Sequence, residues 1–333
     1  MERRSMSALY DVCGIGNALV DVVVRVDEAI LSCNELDKGA MSLVDCEKIG
    51  EITRQCAEPE STCSGGSAAN TMAVLAALGA KVAYIGKVHN DELGQFFLSD
   101  MERAGVKMVL GPVGECPPTG HCLVLVSPDA ERTMLTYLGA STTLEPAEID
   151  RDAISSSAVL YLEGYLYDPP DARRAMEKAA EFALDAGRKV AFGLSDSFCV
   201  SRHLEDFRRL VREKVDVVFG NAGEIKALAG VDSLHRAIEV VGKWCPVVVA
   251  TNGAAGVELL AGGVRTTIAA EPVENVVDTT GAGDSFTAGF LYGLAKDWEA
   301  SRSARLGNLV AARIVSQIGA RPTRPLGDLV AKV

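Results

Sequence analysis

Apolar, β-branched runs that alternate with helical patterns closed by glycine constrain the fold of this chain more than any other feature. Residues 82–85, 159–162, 190–194, 215–219 and 247–250 read as buried strands. Segments 67–78, 92–104, 171–186, 203–212 and 233–243 read as helices ending near Gly79, Gly105, Gly187 or a charged turn. Strand–helix alternation predicts a doubly wound, mostly parallel α/β sheet with helices on both faces and ligands bound outside the carboxyl ends of its strands. Asn221, Thr251 and the segment 278–284 fall at those ends.

Two regions break the alternation. Residues 17–44, with Val20, Val22, Val24 and Val26 on alternate positions, and residues 119–139, where 121–126 and 133–137 flank a turn at 127–130, read as strands of a small separate sheet. No low-complexity linker sets them apart. We therefore expect one domain over residues 1–333 with a discontinuous β lid at roughly 17–45 and 115–140.

The richest motif is Asp278-Thr279-Thr280-Gly281-Ala282-Gly283-Asp284, followed by helix formers to Ala295. A helix beginning at these glycines points the backbone N–H groups of Gly281, Ala282 and Gly283, and the positive end of its dipole, at one spot where an anion can sit. Asp284 stands beside it, suited to take the proton of a hydroxyl that attacks phosphorus. The alternative is a tight turn with Asp284 as a helix cap. A second cluster, Gly65-Gly66-Ser67-Ala68-Ala69-Asn70, lets a ligand approach the backbone closely and offers in Asn70 both a donor and an acceptor, which suits a diol; its alternative is helix–sheet packing with Ser67 as cap. Asp21 reads as an inward carboxylate able to accept hydroxyl hydrogen bonds, or else as an exposed strand residue. Gly14-Ile15-Gly16 invites a dinucleotide reading, but Leu19 takes the third glycine's place and a strand pattern follows, which excludes an NAD-dependent oxidoreductase.

Charge narrows the partners. With 33 basic and 45 acidic residues, net −12, the chain is unsuited to nucleic acid or an anionic membrane surface. A local nest of N–H groups still binds a phosphorylated small molecule. Nine scattered cysteines without a CxxC pair indicate reduced thiols and a cytoplasmic setting, and no apolar run has the length of a membrane span.

The two glycine motifs, with Gly86, Asp91, Gly94 and Ala288-Gly289, resemble the two signatures of the ribokinase (PfkB-type) family of carbohydrate and nucleoside kinases. Asn221-Ala222-Gly223-Glu224 resembles the family's NxxE, and Thr251-Asn252-Gly253-Ala254-Ala255-Gly256 its TxGxxG. The resemblance covers residues 10–325; residues 14–21 and 215–221 are similar to adenosine kinases in particular.

It implies ATP and Mg²⁺, with Asp284 as general base and Gly281, Ala282 and Gly283 as anion hole. Asn221 and Glu224 would organise Mg²⁺ through water, and Arg132 would reach the transferred phosphate. Asn17, Asp21, Gly65, Gly66, Ser67 and Asn70 would surround the sugar hydroxyls. Thr251, Gly253 and Gly256 would border ATP, with Asn308 on the adenine side. Asp278 and Thr280 match in type the site where several members hold a monovalent cation such as K⁺, and turn capping explains them equally. Tyr165 and Tyr167, where adenosine kinases carry a Phe-Phe pair, and Met41 would supply a wall for a nucleobase. The function implied is ATP-dependent phosphorylation of a primary hydroxyl of a nucleoside, adenosine-like in the first instance. The alternatives are a sugar kinase acting on ribose or fructose and a catalytically silent nucleotide-binding protein. Monomer and homodimer are both compatible with an exposed lid edge.

Overall fold

The structure is a computed structural model, and it describes residues 8–129 and 131–333. Residues 1–7, and Ala130 of the expected hairpin turn, lie outside the described residues.

The strands in chain order are β1 (Tyr10–Ile15), β2 (Leu19–Arg25), β3 (Met41–Leu43), β4 (Ser61–Gly65), β5 (Val82–Ile85), β6 (Val106–Met108), β7 (Thr119–Val126), β8 (Arg132–Gly139), β9 (Ser157–Glu163), β10 (Lys189–Gly193), β11 (Val217–Asn221), β12 (Val247–Thr251), β13 (Val257–Ala261) and β14 (Val264–Ile268). They form a nine-stranded sheet, ordered β14-β13-β12-β11-β10-β9-β1-β5-β6, and a five-stranded sheet, ordered β3-β8-β7-β2-β4. The large sheet is parallel from β6 to β12, as the strand–helix alternation requires. β13 pairs antiparallel with β12 and β14 antiparallel with β13, forming a hairpin on its edge.

Side chains alternate across this sheet, and each face has its own core. Ile15, Leu160, Leu162, Phe192 and Val218 pack under the helices Pro170–Asp185, Leu204–Lys214 and Leu234–Val241. Val12, Tyr84, Tyr161, Phe219 and Val249 pack under Ser67–Ala77, Glu92–Arg103, Ala282–Ala295 and Ala300–Val315. Continuous Val-rich runs are what a strand buried on both faces needs.

The small sheet is larger than the sequence predicts. β4, too short and polar to show alternation, pairs antiparallel with β2 and extends the sheet to Gly65. Helices Glu28–Cys33 and Cys46–Thr53 cover its outer face, burying Val24, Leu31, Ile49, Ile52, Leu123 and Leu125. The inner face carries Val23, Cys122, Val124, Val126 and Met134. Since Asp21 pairs with Cys122, and Arg132 and Met134 share a parity on β8, Asp21 and Arg132 belong to that inner face as well.

Beyond β12, Gly256 shapes the turn that leads into β13. It has φ +90, its N–H bonds to the Gly253 carbonyl at 3.0 Å, and its own carbonyl accepts from Asn252 at 2.8 Å. A side chain there would also overlap the Ile268 carbonyl. Gly256→Ala is therefore expected to lower the unfolding free energy by about 2 kcal/mol or more, read by urea denaturation.

Candidate active site

β9, β10, β11 and β12 end at Glu163, Gly193, Asn221 and Thr251. Their carboxyl ends form the floor of a cleft of ≈ 230 Å³ whose lining includes Ser67, Ser195, Asn221, Glu224, Thr251, Gly283, Asp284 and Thr287. Two helices aim their N-termini into it, Ser67–Ala77 and Ala282–Ala295.

Gly281 is the N-cap of the second helix, with φ +72. Only glycine fits there, because a side chain would overlap Ala320 as well as strain the backbone. Asp284 therefore sits in the first helical turn and is not the cap. Its carboxylate accepts from Ser67 Oγ at 2.6 Å and from Asn70 Nδ2 at 3.3 Å. Ser67 is not a cap either: Gly66 is, at φ +99, and the Ser67 hydroxyl is committed to Asp284. Burial pushes the Asp284 carboxyl up to about 6 against the opposing pull of Ser67, Asn70 and Arg321. The anion hole loses one expected donor, since the Ala282 N–H turns back onto the Thr279 carbonyl at 3.1 Å. Gly281 and Gly283 remain, and Gly283 lines the cleft.

Asp21 lies against Gly65, where a side chain would overlap its carboxylate. Burial raises it to about 6, Arg321 lowers it and the negative charge of Asp284 raises it, so the carboxylates of the lid and of the main body share one field. Asn17, just before β2, donates through Nδ2 to Glu163 Oε1 at 2.8 Å, while Tyr84 Oη donates to the Asn17 carbonyl at 2.9 Å. Asn70 is held at both ends, receiving Arg321 Nε on Oδ1 at 2.8 Å and donating to Asp284.

At the end of β11, Asn221 and Glu224 form a reciprocal capping box at the start of Ala222–Ala229. Burial lifts Glu224 to about 7, with Asp196 adding to the rise. Among the described residues no group of three or more His, Cys, Asp or Glu is arranged to ligate a metal directly. A hydrated Mg²⁺ fits this donor set, because buried carboxylates with raised pKa values gain from a nearby cation and magnesium keeps several of its waters.

The expectation for Tyr167 is corrected, and other expected site residues are engaged elsewhere. Tyr167 does not face the cleft: it is fully buried, its ring 5.1 Å from that of Phe207 and its hydroxyl on Glu177 at 3.1 Å. Tyr165 is only half-buried, its N–H held by Ser195 Oγ at 3.0 Å, and it does not line the cleft. Asn308 spends its amide on the Ala269 carbonyl at 2.7 Å. Gly253 and Gly256 belong to the turn beyond Thr251, outside the cleft lining. Asp278 and Thr280 show the turn-capping arrangement. Asp278 accepts from Thr280 Oγ1 at 2.7 Å, Gly319 N at 2.9 Å and Arg132 Nη1 at 2.9 Å.

Residues 40–326 match the pfkB family of carbohydrate kinases. The chain belongs to that family. It is 40% identical to an adenosine kinase from Sinorhizobium meliloti whose crystal structure superposes with a TM-score of 0.89, covering 98% of this chain and 99% of that one. It is 31% identical over 259 residues, 75% of this chain and 98% of the relative, to an uncharacterized sugar kinase from Archaeoglobus fulgidus. An adenosine kinase from Saccharomyces cerevisiae is 28% identical over 330 residues, 92% of this chain and 94% of the relative. The protein is thus an ATP-dependent kinase of the PfkB family with a ribokinase-like fold, and kinases of this family use ATP with Mg²⁺. No helix among the described residues is long and apolar enough to cross a membrane.

Sequence reasoning missed two residues of this kinase site. Glu163, 1% exposed, accepts from Asn17 and, through Oε2, from Ala68 N at 2.8 Å, tying the Ser67–Ala77 helix to β9. Burial raises it to about 7. Its signal was an acidic residue closing an otherwise apolar strand. Arg321 comes from a proline-rich C-terminal segment that no motif marked.

The raised carboxyls make stability depend on pH. A folded-state pKa near 6 against an unfolded value of roughly 4 means that the folded state holds more protons, so stability falls as pH rises through that window and stays lower above it. Asp284→Asn is therefore expected to melt at a higher temperature than the wild type at pH 8, with the difference shrinking toward pH 5; thermal denaturation without ligands reads it.

Proposed function

We propose that this kinase moves the γ-phosphate of ATP to a primary hydroxyl of a nucleoside, adenosine-like in the first instance, with Asp284 as general base. The observation that carries the nucleoside reading is the inner face of the lid. Val23, Cys122, Val124 and Met134 form an apolar strip beside Asp21, and Met41 pairs with Met134 in the sheet and so shares that face. The Arg132–Asp278 contact turns this face toward the main body. A free sugar needs polar partners on all sides, whereas a flat base needs such a wall. The lid strip takes the part that sequence reasoning gave to Tyr165 and Tyr167.

In the reaction, Asp21 accepts hydrogen bonds from ribose hydroxyls and Asn70 offers its second amide hydrogen. Asp284, ionised above its raised pKa, removes the proton of the attacking hydroxyl, a role open to a carboxylate within hydrogen-bonding reach of the acceptor. The N–H groups of Gly281 and Gly283 and the helix dipole stabilise charge on the transferred group, and Arg132 adds a guanidinium at the lid edge. Magnesium, when bound through water beside Asn221 and Glu224, neutralises phosphate charge. The fixed Ser67–Asp284 contact keeps the base from drifting before the acceptor arrives.

Asp284→Asn is expected to lower kcat by about 10²- to 10⁴-fold with a far smaller change in acceptor affinity, by steady-state kinetics. Near-normal turnover would remove Asp284 from the mechanism. For the acceptor, adenosine or another purine nucleoside is expected to exceed ribose and fructose in kcat/KM. Met134→Ala should cost about 1 kcal/mol or more with the nucleoside and little with a free sugar. A higher kcat/KM for ribose or fructose would favour the sugar-kinase reading instead.

A further inference from the structure

The C-terminal segment after the Ala300–Val315 helix grips the active site at three points. Gly319 N–H donates to Asp278 at 2.9 Å, Ala320 packs against the Gly281 N-cap, and Arg321 Nε donates to Asn70 Oδ1 at 2.8 Å. Gln317 Nε2 holds the Arg321 carbonyl at 2.6 Å, and Leu326 N–H donates to the Ala77 carbonyl at 2.8 Å, which fastens the strap at the far end of the Ser67–Ala77 helix. Arg321, half-buried, is thus delivered onto Asn70 by a segment fixed on both sides.

An asparagine amide has two orientations that differ by a flip, and its neighbours choose between them. Here Arg321, a donor only, fixes Oδ1 toward itself. Nδ2 then faces Asp284 at 3.3 Å as a donor. The flipped amide would set an oxygen against the carboxylate and an NH₂ against the guanidinium, two repulsive contacts where there are now two attractive ones. The remaining Arg321 nitrogens meet only the Met101 sulfur, at 3.4 and 3.5 Å. No carboxylate oxygen forms a hydrogen bond with the guanidinium among the described residues, so its charge acts on the surrounding acids through space.

From this geometry we propose that Arg321 is a positioning residue for the general base: it sets the Asn70 amide that aligns Asp284 and brings a positive charge to the carboxylates of the site. The proposal rests on the reading of Asp284 as base. It goes beyond that reading by placing the control of the base in the C-terminal strap.

The charged surroundings agree in sign. Arg321 lowers both Asp284 and Asp21, while burial depresses Arg321 itself and Asp100, Cys63, Asp21 and Tyr84 oppose that depression. Across the cleft, Glu163 and Tyr161 on β9 couple unfavourably with Asp284, and Glu224 faces the same cleft from the nucleotide side. Arg321 is the cation that lowers Asp284 from within this acidic group. Without it, only the hydrogen bonds from Ser67 and Asn70 oppose burial and the neighbouring carboxylates, and the pKa of the base rises.

The test is the pH profile of kcat/KM for wild type, Arg321→Lys, Arg321→Gln and Thr323→Ala, with melting temperatures of all four. Arg321→Gln keeps a donor but loses the charge; its acid limb is expected to move up by about 0.5–1 pH unit. Arg321→Lys keeps the charge, so its acid limb should stay within about 0.3 pH unit of wild type. Thr323 Oγ1 donates to Gln317 Oε1 at 3.1 Å; Thr323→Ala removes this bond of the strap without touching the charge, and should lower the melting temperature while leaving the limb in place. A common acid limb for Arg321→Gln and Arg321→Lys, or an equal shift in Thr323→Ala, would overturn the proposal. Asp284→Asn, run alongside, separates the two readings. If it retains turnover, the base assignment fails; if it is inactive while the Arg321 variants share one limb, only the role of Arg321 fails.

Discussion

The hydrogen bond from Ser67 to Asp284, 2.6 Å long between residues 217 positions apart, joins the two helix N-termini on which the site depends. One helix begins behind the Gly66 N-cap and the other behind the Gly281 N-cap. Each reaches the cleft because the parallel strands beneath end at the same level, and a parallel sheet has all its carboxyl ends on one side. Glycine at each N-cap, Gly66 and Gly281, is required by positive φ and by the close approach of Asn17 and Ala320. A side chain at either position would force apart the elements that the Ser67–Asp284 contact holds together.

The site is costly to fold. Asp21, Asp284, Glu163 and Glu224 are all raised, chiefly by burial. Their hydrogen bonds from Ser67, Asn70, Asn17, Ala68 and Asn221 offset part of that penalty, and Arg321 supplies positive charge from the rear. This clustering of destabilised acids is common where catalysis needs a base near neutral pH and a cation must be drawn in, and stability is given up for it.

The lid adds what the large sheet lacks. Its outer face is a small core under two short helices, while Val20 of β2 joins the core of the main body. Its inner face combines an acid, an arginine and an apolar strip, and the Arg132–Asp278 ion pair spans from it to the loop before the anion hole. That pair is partly exposed, with Arg132 33% and Asp278 11% accessible, so its net contribution to stability is about 1 kcal/mol or less.

The sequence by itself determined the parallel α/β sheet, the lid hairpin and the two glycine-rich helix starts. These are local properties, written in the spacing of apolar residues and in the need for glycine where φ is positive. It also marked Asp284, Asp21, Asn70, Asn221 and Glu224, because each lies inside or beside such a local pattern. Only the tertiary structure decided which way their neighbours point. Tyr165 and Tyr167 look alike in sequence, yet one is half-buried beside Ser195 and the other is sealed against Phe207. β4 shows no alternation and becomes a strand through its pairing with β2. Glu163 and Arg321 reach the site from 121 and 37 residues away from Asp284, respectively, and no spacing rule spans such distances. What a side chain touches is set by the packing of whole layers, and that information is distributed over the chain rather than held in any one segment of it.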